Sequence, residues 1–204
     1  MADDTPIRVL AVSGSMGESS QTRTIADLAL QGAAKAGAET KLLDLAVVDP
    51  PNLRVGDQRQ GSLPSVLEVR ATARWADGLV IATPEYHGGP SGVLKNWFDL
   101  LWPELAGKVA GVCATAGGRA ADQSCAQVEL YCRQLHCWTL PYNAQALARD
   151  FDRAGVLTDE KTRDRVLRLG RDVAVYAGVL RARFSLDTTL GTTPDAGFAA
   201  WHPR

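Results

Sequence analysis

The chain has 204 residues, enough for one medium-sized domain with a substantial core, and its make-up (46% hydrophobic, 22% charged) is that of an ordinary globular protein. With 22 basic and 23 acidic side chains the net charge is −1, which leaves no bulk attraction to nucleic acid or to an anionic membrane. No apolar run nears the ~20 residues needed to cross a bilayer, and the opening MADDTPIRV lacks the basic-then-apolar order of a secretory signal, so a cytoplasmic protein is expected.

The first predicted element is a strand over 7–13, IRVLAVS, which breaks into the small-residue stretch SGSMGESSQT. A helix follows, with Ile25, Leu28, Ala29, Ala33 and Ala36 on its apolar stripe and Asp27, Gln31 and Lys35 off it. A second strand is expected over 40–46, then a long polar loop over 48–64 without periodicity, of the kind that often covers a site. A helix over 62–75 leads to a strand at 78–83. Ser91 then caps a helix whose stripe is Val93, Leu94, Trp97, Phe98 and Leu101. A strand over 108–116, a helix from about Ala120 to Leu135 and a fifth strand over 137–143 come next. The last helix starts near Thr158, carries Asp159 and Glu160 in its first turn, and is expected to bury Val166, Leu169, Val173, Tyr176 and Leu180. Its arginines at 163, 165, 168 and 171 are read as a solvated face in preference to a nucleic-acid surface.

The runs 7–13, 78–83 and 108–116 are continuously apolar, as suits strands covered on both faces, and strand alternates with helix throughout. The expected fold is a doubly wound α/β layer structure, flavodoxin-like, with five parallel strands in the order 2-1-3-4-5 and helices on both faces. Residues 1–184 form this one domain. Residues 185–204 are expected to be an irregular tail, whose Phe198 and Trp201 dock on the body or on another subunit. Cys113, Cys125, Cys132 and Cys137 form no C-x-x-C pair and no zinc spacing, so packing is favoured over metal or redox chemistry.

A parallel sheet brings the loops after strands one, three and four to the same edge. In the first, Ser13, Ser15, Ser20 and Thr22 offer hydroxyls, the helix start offers amides, and Arg23 is a candidate charge partner; together they make a cup for a single phosphate. A Walker loop lacks its lysine here, a dinucleotide fingerprint lacks its third glycine, and a nucleophile elbow lacks its first. A tight Gly/Ser turn with no ligand is the competing reading. In the second loop, TPEYHGGPSG, Tyr86 offers a stacking face while Gly88 and Gly89 permit close backbone approach. The third, TAGGRAAD, adds Gly117, Gly118 and the fixed cation Arg119. One cup with two backbone-rich walls suits a planar heterocycle bearing one phosphate tail.

GSMGESSQT, PEYHGGPSGVLKNWFD and ATAGGR, in this order and spacing, resemble the NAD(P)H-dependent FMN reductase family of flavodoxin-like proteins, which includes quinone, azo and metal-oxyanion reductases. The likeness runs from about Arg8 to Leu180 and implies FMN as cofactor with NADPH or NADH as reductant. The binding set it implies is Ser13, Ser15, Ser20, Gln21 and Thr22 in the first loop, Pro84, Glu85, Tyr86, His87 and Gly88 in the second, and Thr115, Gly117, Gly118 and Arg119 in the third. Thr22 replaces the family's usual Asn, His87 stands where Asn is commoner, and Gly17 stands where Arg is common. The missing guanidinium leaves a phosphate more dependent on amides and hydroxyls, with Arg23 as substitute. The helix carrying Lys95, Asn96 and Asp99 commonly lies at the family's dimer interface, which implies a homodimer or homotetramer.

The resemblance implies hydride transfer from a nicotinamide to the flavin and two-electron transfer to a small acceptor in the same slot. Backbone amides at Gly117, Gly118 and Arg119 would stabilise the reduced ring. No side chain is assigned as catalytic: His87 reads equally as a loop residue, Glu85 as a cap, His136 and His202 as filler, and no metal site is expected. Arg54, Arg59 and Arg119 are candidates for a 2′-phosphate. The rival readings are a non-enzymatic FMN-binding electron carrier, against which the near-neutral charge argues, and a phosphate-binding hydrolase on the same fold.

Overall fold

The computed structural model describes residues 5–202. Its strands are β1 (Arg8–Ser13), β2 (Glu39–Asp44), β3 (Gly78–Tyr86), β4 (Gly89–Pro90), β5 (Val109–Ala116), β6 (Trp138–Thr139) and β7 (Ala144–Leu147). Its α-helices are α1 (Gln21–Lys35), α2 (Leu45–Val48), α3 (Pro64–Trp75), α4 (Gly92–Asp99), α5 (Asp122–Gln134) and α6 (Glu160–Thr188). The sheet runs β2-β1-β3-β5-β6, parallel along that path, with β4 pairing β3 and β7 pairing β5 off it.

The doubly wound parallel arrangement is as expected, but the count of five strands is not: the described residues form seven. The two additional strands arise at the second loop and at the sheet edge. β4 returns on β3 as a hairpin, with Glu85 opposite Pro90 and Tyr86 opposite Gly89. The two turn residues, His87 and Gly88, have φ of 53 and 78, the pair of positive angles a tight hairpin needs, and His is among the residues that tolerate it. Of the edge run expected at 137–143 only β6 is strand, and a second segment, β7, pairs with β5 just beyond it. Trp138 and Leu140 donate to the Lys108 and Ala110 carbonyls, so the Pro141 nitrogen faces the free edge, where a proline is tolerated, and pairing with β5 resumes at Cys113↔Ala144.

Alternation along β1 explains its unbroken apolar run. Leu10 and Val12 join a core with α3, α4 and α5, whereas Val9 and Ala11 join a second core with α1 and α6. Where α1 crosses α6 the backbones nearly touch: a Cβ on Gly170 would lie 1.7 Å from the Ala29 carbonyl oxygen. All four cysteines are free and buried, and burial pushes the Cys125 thiol up to about 12, so these thiols pack as small apolar groups.

Several expectations need correction. Ala36 is the exposed C-cap of α1 and leaves the stripe. Tyr176 is 50% exposed, and Leu180 is only partly buried. The boundary drawn after residue 184 falls inside α6, which runs on to Thr188. The tail is not irregular throughout: a 3₁₀ segment, Pro194–Trp201, folds back on the body. Phe198 stacks on Phe184 at 5.3 Å and meets Trp138 edge-on, while His136 Nδ1 and His202 Nε2 lie 2.6 Å apart. The 48–64 loop is pinned to α4 by Asn96, whose side chain accepts from Leu53 N–H and donates to the Pro50 and Pro51 carbonyls.

Candidate functional site

The C-terminal ends of β1, β3 and β5 carry the three loops to one edge, where hydrogen bonds staple them together. Gly14 N–H donates to the Ala82 carbonyl at 2.8 Å, and the Ser91 hydroxyl donates to the Gly14 carbonyl at 2.5 Å, joining the first loop to the second. Thr22 Oγ1 and Thr115 Oγ1, both buried, lie 2.7 Å apart and join the first loop to β5. Gly14 is required here by space: an added Cβ would sit 2.8 Å from Leu94 Cβ and 3.2 Å from the Ala82 carbonyl oxygen.

A cleft of about 600 Å³ opens at this edge, within the range of small-molecule sites. Its walls are the first loop and first turns of α1, together with Pro84, Tyr86, Thr115 and residues 152–155. Ser20 is the N-cap of α1, accepting from Arg23 N–H at 3.0 Å. The N–H groups of Gln21 and Thr22 find no acceptor among the described residues, so they remain available to a bound anion. Ser15 is buried, with its hydroxyl held only by a 3.4 Å contact from Gly17 N–H. Tyr86 is 58% exposed on the wall.

The cleft thus gathers Ser15, Ser20, Gln21, Thr22, Pro84, Tyr86 and Thr115 of the expected set. Ser13 is fully buried within β1, and its hydroxyl meets no partner. Glu85 turns to the start of α5, where its carboxylate accepts from Ser124 N–H at 3.3 Å, the capping role read from the sequence. His87 and Gly88 form the hairpin turn, with the Gly88 carbonyl accepting from Gln127. Gly117, Gly118 and Arg119 are exposed and do not line the cleft, and a Cβ on either glycine would meet no atom within 4 Å. Arg54 and Arg59 line a separate groove over the 48–64 loop.

Charge on the cleft wall differs from the sequence reading in one respect. Arg23 is committed elsewhere: its Nε donates to Asp44 Oδ2 at 2.5 Å and its Nη1 to the Glu18 carbonyl at 3.1 Å. Asp27, one turn further along α1, has a carboxyl raised above its ordinary value chiefly by burial, against the pull of Arg23. Residues 152–155 are absent from the sequence-derived set. They sit between β7 and α6, and the DRAG turn before the Thr-Asp-Glu cap is the signal that could have drawn notice.

A family model described as NADPH-dependent FMN reductase matches residues 7–152. The NADPH-dependent FMN reductase ArsH of Shigella flexneri is 29% identical over 193 residues, covering 88% of this chain and 72% of that protein. An NAD(P)H-dependent FMN reductase of Pseudomonas aeruginosa is 32% identical over 177 residues, covering 80% and 90%. Among solved structures, FerB, a flavoenzyme NAD(P)H:(acceptor) oxidoreductase from Paracoccus denitrificans, superposes with a TM-score of 0.68 at 22% identity, covering 84% of this chain and 97% of that one. This last likeness speaks for the fold.

Proposed function

The chain belongs to the NADPH-dependent FMN reductase family, and we propose that its edge cleft is the flavin site of a reductase passing electrons from NAD(P)H to a small acceptor. The acceptors that suit an open stacking slot are quinones, free flavin, azo compounds and metal oxyanions. The observation that carries the placement is the free pair of amides at Gln21 and Thr22, ringed by the hydroxyls of Ser15, Ser20 and Thr22, beside the exposed face of Tyr86.

This donor set fits the group. A phosphate would take the helix-start amides and the three hydroxyls, while Pro84, Tyr86 and Thr115 would flank the ring system. FMN supplies, when bound, the capacity to accept a hydride and return two electrons. The chain's own work is positional: the stapled loops hold the two walls together, and the exposed Tyr86 would offer a stacking face beside the bound ring. Glu85, His87, Gly88, Gly117, Gly118 and Arg119 are assigned to the rim that supports or approaches the ring, and Ser13 to the strand end beneath the first loop. No described side chain is needed as acid or nucleophile.

The protein works as a homodimer or homotetramer in the cytoplasm. Support for assembly comes from the exposed Lys95–Asp99 pair of α4 and from Trp102 and Val55, which are 80% and 95% exposed in the single chain. Support for the compartment comes from four free thiols, and no helix among the described residues is long and apolar enough to cross a membrane. The carrier reading is weaker because the charge is nearly balanced. The deciding experiment is the visible spectrum of FMN-loaded protein before and after anaerobic NADPH, followed by steady-state NADPH oxidation with a quinone. Bleaching and turnover are expected. A protein that binds no FMN, or whose flavin neither NADPH nor NADH bleaches, refutes the assignment.

A further inference from the structure

One wall of the cleft comes from residues 152–155, where the stretch matched by the family model ends. The segment is a rigid tip. Phe151 and Leu157, both buried, pair across its base as an antiparallel bridge. Asp152 N–H donates to the Val156 carbonyl at 3.0 Å, and Gly155 N–H to the Asp152 carbonyl at 3.0 Å. The Asp152 carboxylate accepts from Ala154 and Val156 N–H, both at 2.9 Å, so its charge is directed into the turn. Thr24 Oγ1 lies 3.3 Å from the Gly155 carbonyl and shares its one hydrogen between that oxygen and the Ser20 carbonyl, also at 3.3 Å, which sets the tip against the first turns of α1. At a rise of about 1.5 Å per residue, Thr24 stands only about 4.5 Å along the helix axis from the free amide of Gln21.

Arg153 sits on this tip, exposed, on the cleft wall, with no acidic partner among the described residues. The other cation on the wall, Arg23, is bound to Asp44. Gly17 supplies no charge where the family's loop commonly has Arg. We propose that Arg153 is the phosphate cation of this site, delivered from the β7–α6 tip in place of the first-loop guanidinium, and that it closes on the FMN phosphate at the start of α1. The proposal rests on the flavin reading above. Glu18 and Asp27 also line the cleft, so a free guanidinium offsets the like charge that a phosphate meets there.

The test is a titration of apo-protein with FMN and with riboflavin, which lacks the phosphate, for wild type, Arg153→Ala and Arg153→Lys. Expected is an FMN Kd raised roughly ten- to a hundredfold in Arg153→Ala, an intermediate rise in Arg153→Lys, and an unchanged riboflavin Kd. The salt dependence of FMN binding should also flatten in Arg153→Ala. Equal loss for both flavins would mark a structural role and overturn the proposal, as would an unchanged FMN Kd. A selective rise in KM for NADPH over NADH, with FMN binding intact, would reassign Arg153 to the nicotinamide dinucleotide's 2′-phosphate and overturn it too. Wild type binding neither flavin would overturn the flavin reading itself, and the Arg153 proposal with it.

Discussion

The first and third loops at the sheet edge are both rich in glycine, yet the fold treats them oppositely. Around Gly14 there is no room for a side chain, and the loop is tied to β3, to Ser91 and to Thr115 by hydrogen bonds. Around Gly117 and Gly118 there is nothing within 4 Å of an added Cβ. Glycine in the first loop is therefore demanded by the protein's own packing. Glycine in the third is demanded by nothing in the described chain, so its smallness is left to whatever approaches from solvent.

Substitution can break this contrast most severely at Gly14. Gly14→Ala places a methyl against Leu94 and the Ala82 carbonyl, and should cost about 1–3 kcal/mol of stability, measured by denaturant unfolding. A wild-type midpoint would mean the first loop is as loose as the third. Next comes Thr22→Val, which strands the buried Thr115 hydroxyl and should cost about 1–2 kcal/mol while weakening FMN binding. Thr22→Val with Thr115→Val should recover part of the stability, because neither hydroxyl is then left unpaired, but none of the FMN affinity. If the double variant recovers both, Thr22 serves only the packing. Smallest in stability is Gly118→Ala, expected within about 0.5 kcal/mol of wild type, with FMN affinity reduced if the flavin lies against this loop. An unchanged Kd there would take the third loop out of the site.

The same contrast explains what could be read from the sequence and what could not. Periodicity and end signals located β1, β3, β5 and the main helices, and Ser91 is the cap it was read to be, accepting from Leu94 N–H at 3.3 Å. The cleft residues nearest the helix start were equally legible, because they lie in one continuous loop. Facts that depend on distant pairing were not. The commitment of Arg23 to Asp44 joins residues 21 apart, and the tip at 152–155 reaches Thr24 across 131 residues, with no motif to announce either contact. The split of the edge strand had no signal in the sequence, whereas the burial of Ser13 follows from its being the last rung of β1 between Asp44 and Ala82.

A pH series sharpens the comparison most finely, because the partly desolvated Asp27 carboxyl lines the cleft beside the first loop and no carboxyl lines it from the third. Burial raises the Asp27 carboxyl above its unfolded value of 3.8. Its contribution to folding is therefore full below that unfolded value and is lost as pH rises through the folded one. An arriving phosphate adds like charge and raises the carboxyl further, so FMN binding should take up a fraction of a proton and weaken as pH climbs through the same window. The ligand complicates the reading, since a phosphate monoester gains its second charge near pH ~6 and then binds cations better. Asp27→Asn separates the two effects: the ligand's ionisation is common to both proteins, so the ratio of their Kd values at each pH isolates the carboxyl. That ratio should grow with rising pH, with the variant binding FMN a few-fold tighter at neutrality. A ratio flat across pH 4 to 8 would place the phosphate out of reach of Asp27 and so further from α1 than the free amides of Gln21 and Thr22 require.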